Sequence, residues 1–214
     1  NSTDNFNVAV GFEAGKSVST GVQNTILGAQ AGDAISTGNH NVAIGFRALS
    51  TEDTGSNSIG IGYYALNKQN NESNNYNIAI GHSAAQELTT GQYNHLIGGL
   101  AGDALTTGSH NIAIGSLAGC NVTTGFNNVL LGACAGCCLD TGAGNILMGV
   151  RAGHCGTNAF NNVMLGGYAG CVNESGSQNI FLGVFAGQSN TTGSDNILLG
   201  TRAGQTNTTG ISNI

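Results

Sequence analysis

The sequence contains no proline and no tryptophan, and only 7% of its 214 residues are charged, against roughly 25% in an ordinary domain. Five lysines and arginines cannot form the basic footprint that nucleic-acid binding needs. No apolar run approaches the roughly 20 residues that cross a bilayer, so neither nucleic acid nor membrane insertion is expected. A net charge of only -6 with 40% hydrophobic residues excludes a chain held open by its own repulsion, and folding is expected. The chain begins at Asn1 with no charged-then-apolar leader, and it reads as a mature segment.

What is abundant is glycine, 36 residues of it, and its placement is periodic. Gly11, Gly28, Gly45 and Gly62 are followed by Gly81, Gly98, Gly115, Gly132, Gly149, Gly166, Gly183 and Gly200, in steps of 17 residues except for one step of 19. The two extra residues fall in the polar stretch near 68–75, which reads as a loop inserted in one turn. Around each glycine the same phrase recurs: Asn, an apolar triplet, Gly, two free positions, Ala, then Thr-Thr-Gly. Ala stands three residues after every repeat glycine, as at Ala14, Ala31 and Ala118, which predicts a position with room for one methyl group. Asn stands four residues before it, as at Asn111 and Asn128 before Gly115 and Gly132, with Ser58 the exception. Stacked amides form hydrogen-bonded ladders, and glycine suits corners. A helix with two or three glycines per copy would lose roughly 1 kcal/mol at each. The chain therefore reads as a single all-β repeat domain over residues 1–214, a parallel β-solenoid of about twelve 17-residue coils centred on Gly11 to Gly200.

The apolar triplet has two faces. In Ile180-Phe181-Leu182 the first and third residues are assigned to the coil interior, together with Ala and with Val18, Ile35, Leu88, Leu105, Val122 and Leu139. The middle residue, which is Leu130, Leu147, Met164, Phe181 and Leu198 in successive coils, is then expected to face outward against a partner chain. Three chains around a shared axis is the preferred packing, and a wider single-chain coil burying both faces is the alternative.

The Asn-x-Ala-Ile-Gly-x-x-Ala units resemble the head repeats of YadA-like trimeric autotransporter adhesins and the Asn-Thr-Thr-Gly repeats of phage tail-fibre-like and bacterial surface proteins. The resemblance covers almost the whole chain. It implies a β-roll or β-prism, left-handed and trimeric, serving as a stalk or adhesive head.

No catalytic motif is present. The histidines His40, His82, His95, His110 and His154 are scattered, the carboxylates form no calcium-loop pattern, and no catalytic, cofactor or metal residues are assigned. All six cysteines lie between Cys120 and Cys171. Their columns place Cys120 beside Cys137 and Cys138 beside Cys155, at a spacing suited to disulfides between adjacent coils and hence to an oxidising, extracellular location. A zinc half-site at Cys134 and Cys137 with His154 or Cys171 is the competing interpretation.

The function expected is a non-enzymatic shaft of a cell-surface fibre or virion tail fibre. Its partner is itself, as a homotrimer or a head-to-tail filament, because residues 1–8 and 207–214 share one repeat phase. Two alternatives stand beside it. One is an ice-binding solenoid, from the column Thr20, Thr37, Thr54, Thr90, Thr107, Thr124, Thr141, Thr192 and Thr209. The other is a tip that binds cell-surface glycan through Tyr63, Tyr64, Tyr76 and the inserted loop.

Overall fold

The computed structural model describes residues 5–214. The N-terminal docking octapeptide expected from the sequence therefore lies partly outside the described residues. Twelve strands of three residues each, from β1 (Val8–Val10) to β12 (Ile197–Leu199), form one parallel sheet in strict sequence order. The register matches the repeat: Val8 pairs with Thr25 and Thr25 with Val42, while Ile59 pairs with Ile78 across the longer step. Each coil is thus one short strand followed by turns and bends, and the chain is a β-solenoid.

Backbone hydrogen bonds join neighbouring coils on every side, not only in the sheet. The Gly28 N–H donates to the Val10 carbonyl at 2.9 Å, Gly119 N–H to Ala135 O at 2.9 Å, and Thr89 N–H to Thr106 O at 2.9 Å. Within a coil, the N–H of the invariant Ala closes a tight turn onto the repeat glycine, as Ala118 does on Gly115 at 3.2 Å. Repeat glycines are demanded at the corner. Gly28 has φ +135, and a Cβ there would lie 2.7 Å from the Gly45 carbonyl oxygen of the next coil. The inserted residues are absorbed between Asn70, which still donates to Thr89 O, and Asn75, which donates to Ser56 O.

The interior corrects one expectation. The middle strand residues Leu130, Leu147, Met164, Phe181 and Leu198 are buried in the chain's own core, so they are not an interface. The Ala column and Ile35, Leu88, Leu105, Val122 and Leu139 pack with them, as expected. The flanking strand residues face outward instead, with Ile114 42% and Leu199 62% exposed. The reason is parity. Asn at four residues before the glycine and the middle residue at two before share one side of an extended chain. The Asn side chain turns inward because it bonds buried backbone, so the middle residue must turn inward with it.

Two further columns adopt positive φ with residues other than glycine, Gly144 excepted. One contains Gln23, His40, Tyr93 and His110, and the other Arg47, Leu117, Tyr168 and Phe185, all with φ between 54 and 60. Left-handed backbone costs roughly 1 kcal/mol or more for such residues. Inter-coil bonds hold it in place, such as His110 N–H to Gln92 O at 2.9 Å.

Candidate functional site

The buried amide ladder runs the length of the molecule. The Oδ1 of Asn111 accepts the backbone N–H of Asn128 at 3.1 Å, while its Nδ2 donates to Gly125 O at 2.9 Å. Asn128 repeats the pattern toward Asn145 and Gly142. Each side chain thereby satisfies two backbone groups that would otherwise be buried unpaired. The ladder breaks at Ser58, where Gln69 reaches in from the opposite wall, donating to Ser58 Oγ at 2.8 Å and accepting from Asn77 Nδ2 at 2.8 Å.

Beside that break lies the least expected residue of the interior, Glu52, which is fully buried. Its carboxylate accepts from Gly55 N–H at 2.8 Å, Gln69 Nε2 at 2.7 Å, Asn75 Nδ2 at 3.0 Å and Asn71 N–H at 3.4 Å. Burial pushes its pKa above the ordinary carboxylate range, and the donors oppose that shift only in part. Glu52 ties the base of the inserted loop to the coil. In sequence it looked like one more scattered acid; its position in the same column as Ile35 and Leu88 is the signal that could have placed it inside.

The cysteines gather on one side of the coils following Gly115, Gly132, Gly149 and Gly166, and all six are free thiols in this structure. The Sγ atoms of Cys120 and Cys137 are 2.7 Å apart, which brings together the first of the two expected disulfide pairs. Their shared hydrogen bond draws the Cys120 thiol below its usual range and drives that of Cys137 strongly upward. Burial raises Cys138 and Cys171. Cys138, Cys137 and His154 have ligand atoms that all lie within 4.8 Å of one another. Cys134 contributes its carbonyl rather than its sulfur, facing His154 Nδ1 at 3.3 Å.

The other chemistry-bearing residues serve stacking and turns. His82 stacks on Tyr63, which stacks on Phe46, with centroids 5.2 and 5.5 Å apart; Tyr76, Tyr93 and His110 form a second aromatic file. The Thr-Thr-Gly segments lie in bends, and the first hydroxyl bonds the next coil, as Thr106 Oγ1 does to Thr123 O at 3.0 Å. The second threonine, such as Thr107 or Thr124, is exposed. Two interior voids of about 10 Å³ each, one lined by Leu96, Ala113 and Leu130, are no larger than a water molecule needs.

No family model, no curated protein and no solved structure matches this chain.

Proposed function

We propose that this chain is a segment of the shaft of an extracellular fibre or adhesin, non-enzymatic, acting through length and stiffness and associating with copies of itself. The observation that carries this is the uninterrupted ladder of twelve strands whose interior is filled throughout by the chain's own side chains. Such a stack has the mechanical character of a rod, about 50 Å long at ~4.8 Å per coil. In the column expected for ice binding, Thr107 and Thr124 are exposed but set in bends rather than on the flat strand face, which supports a shaft over an ice-binding plane.

Self-association moves from the middle strand column to the outward ones. Every strand turns its first and third side chains outward, and all are apolar except Thr25 and His95. With the adjoining column that includes Phe12, Phe46, Tyr63, Val150 and Val184, these side chains make a contiguous exposed apolar face of the kind that marks an interaction surface. Light scattering on the purified chain tests the proposal: the wild type is an oligomer, and Ile114→Asp with Met148→Asp dissociates it while the fold persists. A soluble wild-type monomer rejects self-association.

A second reading, contact with a cell-surface glycan, is favoured by the exposed aromatic files, in which Tyr63, Tyr76 and Tyr93 are 47%, 43% and 44% exposed. The stacked rings cover one another's faces and turn their edges outward, so the tyrosine hydroxyls are the groups that would hydrogen-bond sugar hydroxyls. Binding to immobilised glycans that disappears in Tyr63→Ala with Tyr93→Ala supports it, and no binding by the wild type excludes it.

A further inference from the structure

Beyond the shaft, the cysteine-rich side of the solenoid carries a chemical site that exists while its thiols are reduced, as they are in this structure. Solenoid stacking brings three soft ligands together from two successive coils: Cys137 and Cys138 from one, and His154 from the next. Their ligand atoms lie within 4.8 Å of one another. Around a tetrahedral zinc-like ion, with bonds of ~2.0 to 2.3 Å, ligand atoms stand ~3.3 to 3.8 Å apart, so rotamer adjustments alone close the site.

Two observations make this more than a chance grouping. First, the backbone holds the register: Cys138 N–H donates to His154 O at 2.9 Å, and Asn121 N–H to Cys137 O at 3.0 Å. The ligands therefore sit on fixed rungs rather than a loop. Second, His154 already has the outer partner of a metal-binding imidazole. Its Nδ1 lies 3.3 Å from the Cys134 carbonyl, which can only accept, so a neutral imidazole that donates there keeps its lone pair on Nε2 for an ion. The ligand set differs from the Cys-x-x-Cys half-site expected from spacing: Cys134 acts through its carbonyl, and the adjacent Cys138 takes the place of its sulfur.

We infer that Cys137, Cys138 and His154 form a binding site for a thiophilic divalent cation of the zinc class. The fourth position is open to solvent or to Cys120, whose sulfur stands 2.7 Å from that of Cys137. A Cys120–Cys137 disulfide would occupy one ligand, so the site belongs to the reduced protein.

The test is titration of the reduced full-length chain with Co²⁺, followed by Zn²⁺. The expected result is one equivalent of Co²⁺ with the intense visible absorption of a thiolate-ligated tetrahedral ion, displaced by one equivalent of Zn²⁺. Cys138→Ser and His154→Ala each weaken binding at least 10-fold, while Cys171→Ser leaves it unchanged and controls for folding, which circular dichroism verifies in every variant. Cys120→Ser prevents the disulfide and binds Co²⁺ without prior reduction. The site is overturned if the reduced wild type binds no stoichiometric ion, or if the absorption survives Cys138→Ser combined with His154→Ala. Loss of binding in Cys120→Ser with retention in Cys138→Ser overturns the ligand assignment.

Discussion

The side chain of Leu49 fills the space left by the missing side chain of Gly60 in the next coil: a Cβ on Gly60 would lie 3.3 Å from Leu49 Cγ. Most coils carry a glycine where Leu49 stands, because a large middle strand residue occupies that volume; a Cβ on Gly136, for instance, would lie 2.9 Å from Leu130 Cδ2. In three coils the middle residue shrinks to Ala43, Gly60 and Ala79 and the partner position grows to Leu49, Leu66 and Ala85, all fully buried except that Gly60 has no side chain to bury; beside Ala9 and Ala113 the partner stays Gly15 and Gly119, because Ile26 and Leu130 of the next coil reach into that space. Core volume is conserved by exchange between two columns.

That exchange sets the first expectation. Leu49→Ala leaves a cavity and costs about 2 to 4 kcal/mol, and Gly60→Ala alone costs less, through crowding against Leu49. Combined, the two cost less than their sum. Chemical denaturation of the four proteins in a double-mutant cycle measures the coupling, and strict additivity contradicts the exchange.

Ala118 is fully buried, with its N–H closing a turn onto Gly115. Ala118→Leu is expected to cost about 1 to 3 kcal/mol or more by overpacking. A melting temperature equal to that of the wild type would show that the column has room to spare.

Removing one rung of the amide ladder leaves buried backbone groups without partners. Asn128→Ala strips the acceptor from Asn145 N–H and the donor from Gly142 O, and it is expected to cost about 2 to 6 kcal/mol at roughly 1 to 3 for each group. Amide exchange at Asn145 should accelerate relative to that at Asn179. Equal protection at both would show that water replaces the side chain.

Glu52 predicts a pH dependence of definite sign. Its folded pKa is raised above the ordinary 4.5, so the stability contributed by the proton it binds is complete below that value and is lost as pH rises through the folded pKa. Thermal melts should therefore shift upward on acidification across that window. Glu52→Gln removes this dependence. It also lowers stability at every pH by about 1 to 3 kcal/mol, since its amide nitrogen would face N–H donors. Unchanged pH sensitivity in the variant would assign the effect to another group.

Leu117, half-buried at φ 59, tests the left-handed columns. Leu117→Val is expected to destabilise by about 1 to 2 kcal/mol because a β-branched residue resists that conformation, whereas Leu117→Asn changes little. Equal melting of the two variants would show that packing, not backbone conformation, governs the position.

The coil length, the strand position, the corner glycines, the insertion near 68–75 and the Ala and Asn columns were all legible in the sequence, because each is a local demand repeated until it stands out. Which strand face turned inward was misread. The outward columns are Ile, Val and Leu apart from Thr25, His95 and Met148, and so look like core. The inward column varies from Gly60 to Phe181 and so looks like surface. The shared parity of Asn and the middle residue, and the reciprocal sizes of the columns containing Leu49 and Gly60, were the signals that could have decided it.

Sequence by itself therefore determined the solenoid, since a 17-residue period of glycine corners and three-residue strands admits few other ways to pair its backbone. Only the tertiary structure decided what lies inside: the burial of Glu52, the substitution of Gln69 for a missing Asn, the left-handed backbone at Leu117 and His110, and the meeting of Cys137, Cys138 and His154. These depend on how side chains from different coils share one volume. A periodic sequence specifies which residues stack, but the direction in which each side chain points is settled only when the closed coil must fill its interior and satisfy every buried polar group.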